Sequence, residues 1–261
     1  MTSPQPLELA QALRDEVHQF QDSVTHWDSH SKFRYLSLER KLQAFQATNV
    51  VEASLLRAIL SSSIGNFEDA ESWFVNAERN GAIHESCMER LHTYVNHGFA
   101  SRALGLTEVV LANRLAYTLM DLASAVTSCG AFQKIVEAVE NSIQRREVLQ
   151  MTSTLELARQ AVAAQDQLQL SDSDIALVLD EAGALLRANR LLWQGGSLDI
   201  SILTADEGGP SISMEYRVDI SAQEAARMNW SLAEALVDKN LYKAGLHIGF
   251  LGTALEERLA A

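Results

Sequence analysis

Between Pro6 and Pro210 the chain runs through 203 residues without a proline. Average usage of about 5% would place roughly ten there. Proline removes an amide donor and clashes with the preceding helical turn, so a run this long suits packed helices. Glycine divides the chain differently. Six of the 13 glycines lie in the first 194 residues and seven in the last 67, from Gly195 to Gly252. Together the two patterns predict a helical body over 1–194 and a small α+β unit over 195–261.

The C-terminal unit reads in four pieces. Ser197–Ala205 and Ser211–Ile220 alternate apolar and polar residues, with Ile212, Met214, Tyr216, Val218 and Ile220 on one face. A period of two marks half-buried strands. The intervening Asp206-Glu207-Gly208-Gly209-Pro210 has the chemistry of a turn, which predicts a hairpin. Ser221 and Glu224 are the two halves of a capping box. Ala225, Met228, Leu232, Ala233 and Leu236 then supply an apolar helical face, and Leu246, Ile248 and Phe250 a last strand. The order is β-β-α-β. Three short strands leave two edges, so this unit is expected to pack on the helical body or on a second copy of the chain, as a homodimer.

Inside the body, Gly65, Gly98 and Gly130 stand 33 and 32 residues apart. Each lies between two apolar helical segments. Val51–Ile64 and Glu71–Asn80 flank the first turn, which spans Gly65 to Ala70. The second unit runs from His84 to Ala112 with its turn at Gly98-Phe99-Ala100, and the third from Ala116 to Gln144 with its turn at Gly130-Ala131-Phe132. Small residues accompany the first turn, at Ala58, Ala70 and Ala77, with Phe74 between the last two.

This pattern resembles the tetratricopeptide repeat, a helix-turn-helix unit of about 34 residues. The resemblance covers roughly residues 51–144. Ala58 matches the small residue of that family's first helix, Gly65 and Phe67 its turn, and Ala70, Phe74 and Ala77 the small-large-small pattern of its second helix. The second unit keeps Tyr94, Gly98 and Ala103, with Leu91 and Thr107 as departures. The third keeps Ala123, Gly130 and Phe132, with Ile135 in place of the alanine. The fold expected from the resemblance is mainly α, a solenoid of helical hairpins followed by the small β-β-α-β unit. Leu7–Phe20, Lys32–Ala47, Glu147–Gln165 and Asp172–Trp193 would cap its ends. The same residues would also suit an irregular helical bundle in which the glycine spacing is accidental.

The charge balance, 21 basic against 34 acidic residues, leaves a net of −13. Such a surface repels phosphate backbones, which argues against a nucleic-acid or anionic-membrane binder. No stretch has the length of a membrane span, and MTSPQPLELAQALRDEV carries no basic region leading an apolar core. Cys87 and Cys129 are too few for a disulfide framework or a four-thiolate metal site. The expectation is a soluble protein of the reduced cytoplasm.

Three constellations are candidates for chemistry. His18, Asp22, His26 and His30 fall four apart, but on one helix His18 and His30 would be about 18 Å from each other, too far for one ion. His84, Cys87, His92 and His97 turn to different sides of a helix. Asp199, Asp206, Glu207, Glu215 and Asp219 belong to the hairpin, where they read as turn residues and an outward strand face. No catalytic, metal or cofactor site is therefore expected.

The function expected is a non-enzymatic protein-protein interaction module, an adaptor or chaperone-like protein. The resemblance implies a concave groove built from the first helix of each unit. Its residues here are Leu55, Ile59 and Ser62, then Met88, His92, Val95 and Asn96, then Met120, Ser124 and Thr127, with Glu52 and Glu85 beside them. Some members of that family hold a peptide's terminal carboxylate with lysine, arginine and asparagine. This groove offers Asn96 alone and two glutamates, which favours a basic or apolar peptide. The alternative is a small enzyme or ligand sensor whose site lies in the β-β-α-β unit.

Overall fold

The computed structural model describes residues 6–112, 119–145, 152–193, 198–205 and 209–254. Its helices are α1 (Pro6–Asp22), α2 (Lys32–Gln46), α3 (Val50–Ser62), α4 (Phe67–Arg79), α5 (Ile83–Asn96), α6 (Ala100–Ala112), α7 (Leu119–Ser128), α8 (Phe132–Gln144), α9 (Ser153–Leu168) and α10 (Asp172–Ala188). Strands β1 (Asp199–Ala205) and β2 (Gly209–Val218), helix α11 (Ala222–Asp238) and strand β3 (Leu246–Gly252) follow, in the predicted β-β-α-β order. Among these residues, no helix is long and apolar enough to cross a membrane. Ala116, residues 147–151, Gly195-Gly196 and the turn residues Asp206, Glu207 and Gly208 lie outside the described residues.

Successive helices pack as pairs, α3 on α4, α5 on α6 and α7 on α8, and α1 with α2 adds a pair ahead of them. The turns fall at Gly65, Gly98 and Gly130, with φ of 78°, 63° and 80°. That left-handed region penalises any residue with a Cβ. Ala58, Ala70 and Ala77 are buried, Ala58 and Ala77 in one cluster with Phe74, so small side chains let α3 and α4 approach closely. Helix α4 starts at Phe67, earlier than the predicted Glu71, because the Asn66 side chain caps it by accepting from the Asp69 amide.

Helix α10 ends at Ala188 rather than at the predicted Trp193. Arg190 takes a φ of 56°, and the chain leaves the helix to pair with the segment after α1. The Trp27 amide donates to the Arg190 carbonyl and the Leu192 amide to the Thr25 carbonyl, both at 2.9 Å. Tertiary pairing outweighs helix propensity here. The same pairing breaks the histidine stripe, since α1 stops at Asp22 and a 3-10 turn spans Trp27–Ser29.

Before it ends, α10 crosses the turns of two pairs. Asp172, 5% exposed, accepts from the backbone amides of Gln133 and Lys134 (3.1 and 3.2 Å) and from the Gln165 amide (3.0 Å). Helix α8 has Ala131 at its N-cap and no side-chain cap of its own, so α10 satisfies amides that α8 leaves orphaned. Eight residues on, about 12 Å along the axis, Asp180 accepts from the Ser101 amide at the start of α6 (3.1 Å). Gly183 then meets Gly98 backbone to backbone; a Cβ on Gly183 would lie 1.8 Å from the Gly98 carbonyl oxygen. Arg187 donates to the carbonyls of His97 and Gly98, both at 2.7 Å, and stacks 3.8 Å above the Phe99 ring.

The sheet has the order β1-β2-β3, with β1 antiparallel and β3 parallel to β2. Ile212, Met214, Tyr216 and Val218 are buried, as their alternation predicts, and the sheet packs against α9 and α10. One apolar cluster runs from Cys87 and Leu91 through Ile175 and Leu179 to Tyr216, Leu232 and Phe250. The apolar packing is thus continuous across residue 195. Ser221 and Glu224 form the expected capping box of α11.

Candidate functional site

The residues assigned to the groove divide by burial. Leu55, Ile59, Ser62, Met88, Val95 and Thr127 are buried. Leu55 clusters with Ala58, Phe74 and Ala77, while Ile59 joins Val17, Phe20 and Leu42 from α1 and α2. Ser62 and Thr127 turn their hydroxyls back onto the carbonyls of Ile59 and Ala123 (2.8 and 2.7 Å). His92 and Asn96 are half-buried and Ser124 is exposed. The side chain of Met120 lies outside the described residues. Most of the apolar groove positions therefore hold the helices to one another, and what reaches the surface is a polar layer.

That layer is organised by Arg14 of α1. Its Nε and Nη2 donate to the Glu52 carboxylate (3.0 and 2.9 Å) and its Nη1 to Glu89 (3.0 Å). Glu52 stands in the first turn of α3 and Glu89 in the middle of α5, so one guanidinium joins two successive helix pairs. Its planar fork suits this geometry, with separate N–H groups aimed at separate carboxylates. Burial by itself would lower the Arg14 pKa, but Glu52 and Glu89 more than reverse it and hold the pKa above its ordinary value. His18, one turn after Arg14, approaches His92. Burial lowers the His92 pKa and His18 adds to the lowering, while Glu89 opposes both.

Two carboxylates supplied by different helices make a site for a cation and repel an anion. Glu52 belongs to the predicted groove, whereas Glu85 is exposed and Glu89, one turn on, is the residue that meets Arg14. The missed signal was an arginine in a helix read as an end cap. Spacing within α5 alone could not show that α1 reaches it.

The other candidate groups do not converge in this way. Among the described residues, no three His, Cys, Asp or Glu side chains gather as a metal site. His97 is fully buried, edge-on to Phe67 (4.7 Å between centroids) and 6.2 Å from Trp27. Among the described residues, neither of its ring nitrogens nor the Trp27 indole nitrogen has a hydrogen-bond partner. Burial, with a smaller contribution from Arg187, pushes the His97 pKa down to about 3. Burial likewise raises the Cys87 thiol and takes the Cys129 thiol up to about 12, so both stay protonated and unreactive.

On the sheet, Asp199 and Glu215 are register partners on the outward face, and Asp199 forms an ion pair with Arg217. Asp219 lies past the end of β2, and its carbonyl meets His26 Nε2 (3.2 Å). Asp206 and Glu207 lie outside the described residues. A cleft of about 340 Å³ between α9 and the hairpin is lined, among the described residues, by Gln160, Ala163, Ala164, Gln167, Ile202 and Pro210.

No family model, no curated protein and no solved structure matches this chain.

Proposed function

We propose that the chain is a non-enzymatic protein-interaction module of tetratricopeptide-like hairpins, whose inner face takes a basic, partly apolar helical segment of a partner. The observation that carries this reading is the Arg14 fork between Glu52 and Glu89. Helix α1 lays Leu13, Val17 and Phe20 against Leu56, Ile59 and Leu60 while Arg14 meets the two carboxylates. It sets an arginine beside an apolar helical stripe on this face in cis, which supports a partner of the same chemistry. A partner helix of the same pattern would take the carboxylates from Arg14. The two free, buried cysteines suit a reducing compartment such as the cytoplasm.

The test is a fluorescence titration of the full chain with a labelled peptide of residues 6–22. Arg14→Ala frees Glu52 and Glu89 and is expected to bind the peptide more tightly than the unaltered chain, by up to about fivefold. Glu52→Gln with Glu89→Gln is expected to lose that binding, and raised salt to weaken it. Equal affinity in all three chains would overturn the reading.

A further inference from the structure

Helix α11 has two apolar faces. Ala225, Met228 and Leu232 are buried beneath it. On its outer side Ala226, Trp230, Ala233 and Val237 are all exposed, with Trp230 at 68% and Val237 at 67%. Their intervals of four, three and four residues keep them on one stripe. The Trp230 indole donates to Glu234 (2.8 Å), which holds the ring along the helix. A stripe of this kind is a contact surface without a contact in the isolated chain.

The order of residues along the stripe indicates what covers it. It is symmetric about the midpoint between Ser231 and Leu232. An antiparallel copy crossing there sets Trp230 against Ala233 of the second copy and Ala226 against its Val237, larger against smaller at each contact. The charges on the flank obey the same symmetry. Arg227, Glu234 and Asp238 lie along one side of the stripe and are exposed. In the antiparallel pairing, Arg227 falls between Glu234 and Asp238 of the second copy, two residues or about 3 Å along the axis from each. A two-fold contact must be self-complementary in shape and charge, and a parallel pairing would instead carry the charged flank of the second copy to the opposite side of the contact, out of reach of Arg227.

At the β3 edge, one of the two edges of the sheet, the Asn229 side chain accepts from the Phe250 amide (2.8 Å) and donates to its carbonyl (3.0 Å), so the backbone groups of that residue are already paired.

We infer that the chain forms a two-fold homodimer through antiparallel packing of the outer face of α11. This inference does not rest on the groove. A contact centred on one 17-residue helix, about 26 Å long, is smaller than a standard interface, so a dissociation constant in the micromolar range is expected.

Sedimentation equilibrium of the full chain between about 5 and 200 µM tests it with two charge variants. Arg227→Glu makes the flank wholly acidic; Glu234→Arg with Asp238→Arg makes it wholly basic. Each variant alone is expected to sediment as a monomer across the range, and an equimolar mixture to form a dimer. The altered residues are exposed, and unchanged circular dichroism and melting confirm the fold. A wild-type chain that stays monomeric at 200 µM would overturn the proposal. So would a dimer that both variants retain, or a mixture that remains monomeric.

Discussion

The two sides of the helical array are held together in different ways. On the turn side, α10 supplies Asp172 and Asp180 as caps for α8 and α6, packs Gly183 on Gly98 and pins that turn with Arg187. On the inner side, the polar link across α1, α3 and α5 is Arg14 with its two glutamates, 32%, 16% and 19% exposed. Buried charge-assisted bonds to backbone amides lock geometry, because breaking one leaves an unpaired group in a low-dielectric surround. A partly exposed ion pair, which solvent reaches at Arg14, exchanges with water at lower cost. The turn side is therefore built to be fixed and the inner side to be exchanged.

The sharpest way to break the turn side is at its closest approach. Gly183→Ala sets a methyl against the Gly98 carbonyl, and the two backbones must separate. The expected loss is about 3 kcal/mol or more, read from urea unfolding. A melt within a degree of wild type would show that α10 does not depend on that contact.

Next comes the cap supplied in trans. Asp172→Ala orphans the amides of Gln133 and Lys134 and the Gln165 side chain, for an expected loss of about 2–3 kcal/mol. Faster hydrogen exchange should appear first at the start of α8.

His97, beneath the same side, makes the comparison pH-dependent. Its folded pKa of about 3 lies below the ordinary 6.5. The unfolded chain therefore takes up a proton as pH falls through 6.5, while the folded chain does not. Stability present above that value declines by up to about 1.4 kcal/mol per pH unit until pH nears the folded pKa. His97→Phe removes this contribution, so the wild-type curve should fall more steeply than the variant's between pH 6 and 4. Parallel curves would contradict the burial argument.

The smallest effect belongs to the inner side. Arg14→Ala is expected to cost about 1 kcal/mol or less, diminishing further in salt, even though it changes peptide binding. A loss as large as that of Asp172→Ala would make the inner side structural rather than exchangeable.

How far each side was legible follows from the range of its interactions. The turn glycines, the close-packed alanines, the Ser221–Glu224 box and the alternation of β2 are local signals, and each lies where its spacing indicated. The groove residues were placed by resemblance to a repeat, and Leu55, Ile59, Met88 and Val95 are buried in packing between helices. The end of α10 was overestimated because helix propensity in Leu191-Leu192-Trp193 carries no trace of the strand-like partner at Thr25–Trp27.

By itself, then, the sequence determined the helical hairpins, their turns and the order of the C-terminal unit, since these depend on backbone sterics and on apolar periodicity within a few residues. Tertiary structure alone decided that Asp172 caps a helix 39 residues before it, that Arg14 joins residues 38 and 75 positions away, and that α11 keeps an apolar face to solvent. A carboxylate or guanidinium on a helix surface has the same local signature whether it meets water or a distant partner. Only the packing of the helices brings the two ends of such a bond together.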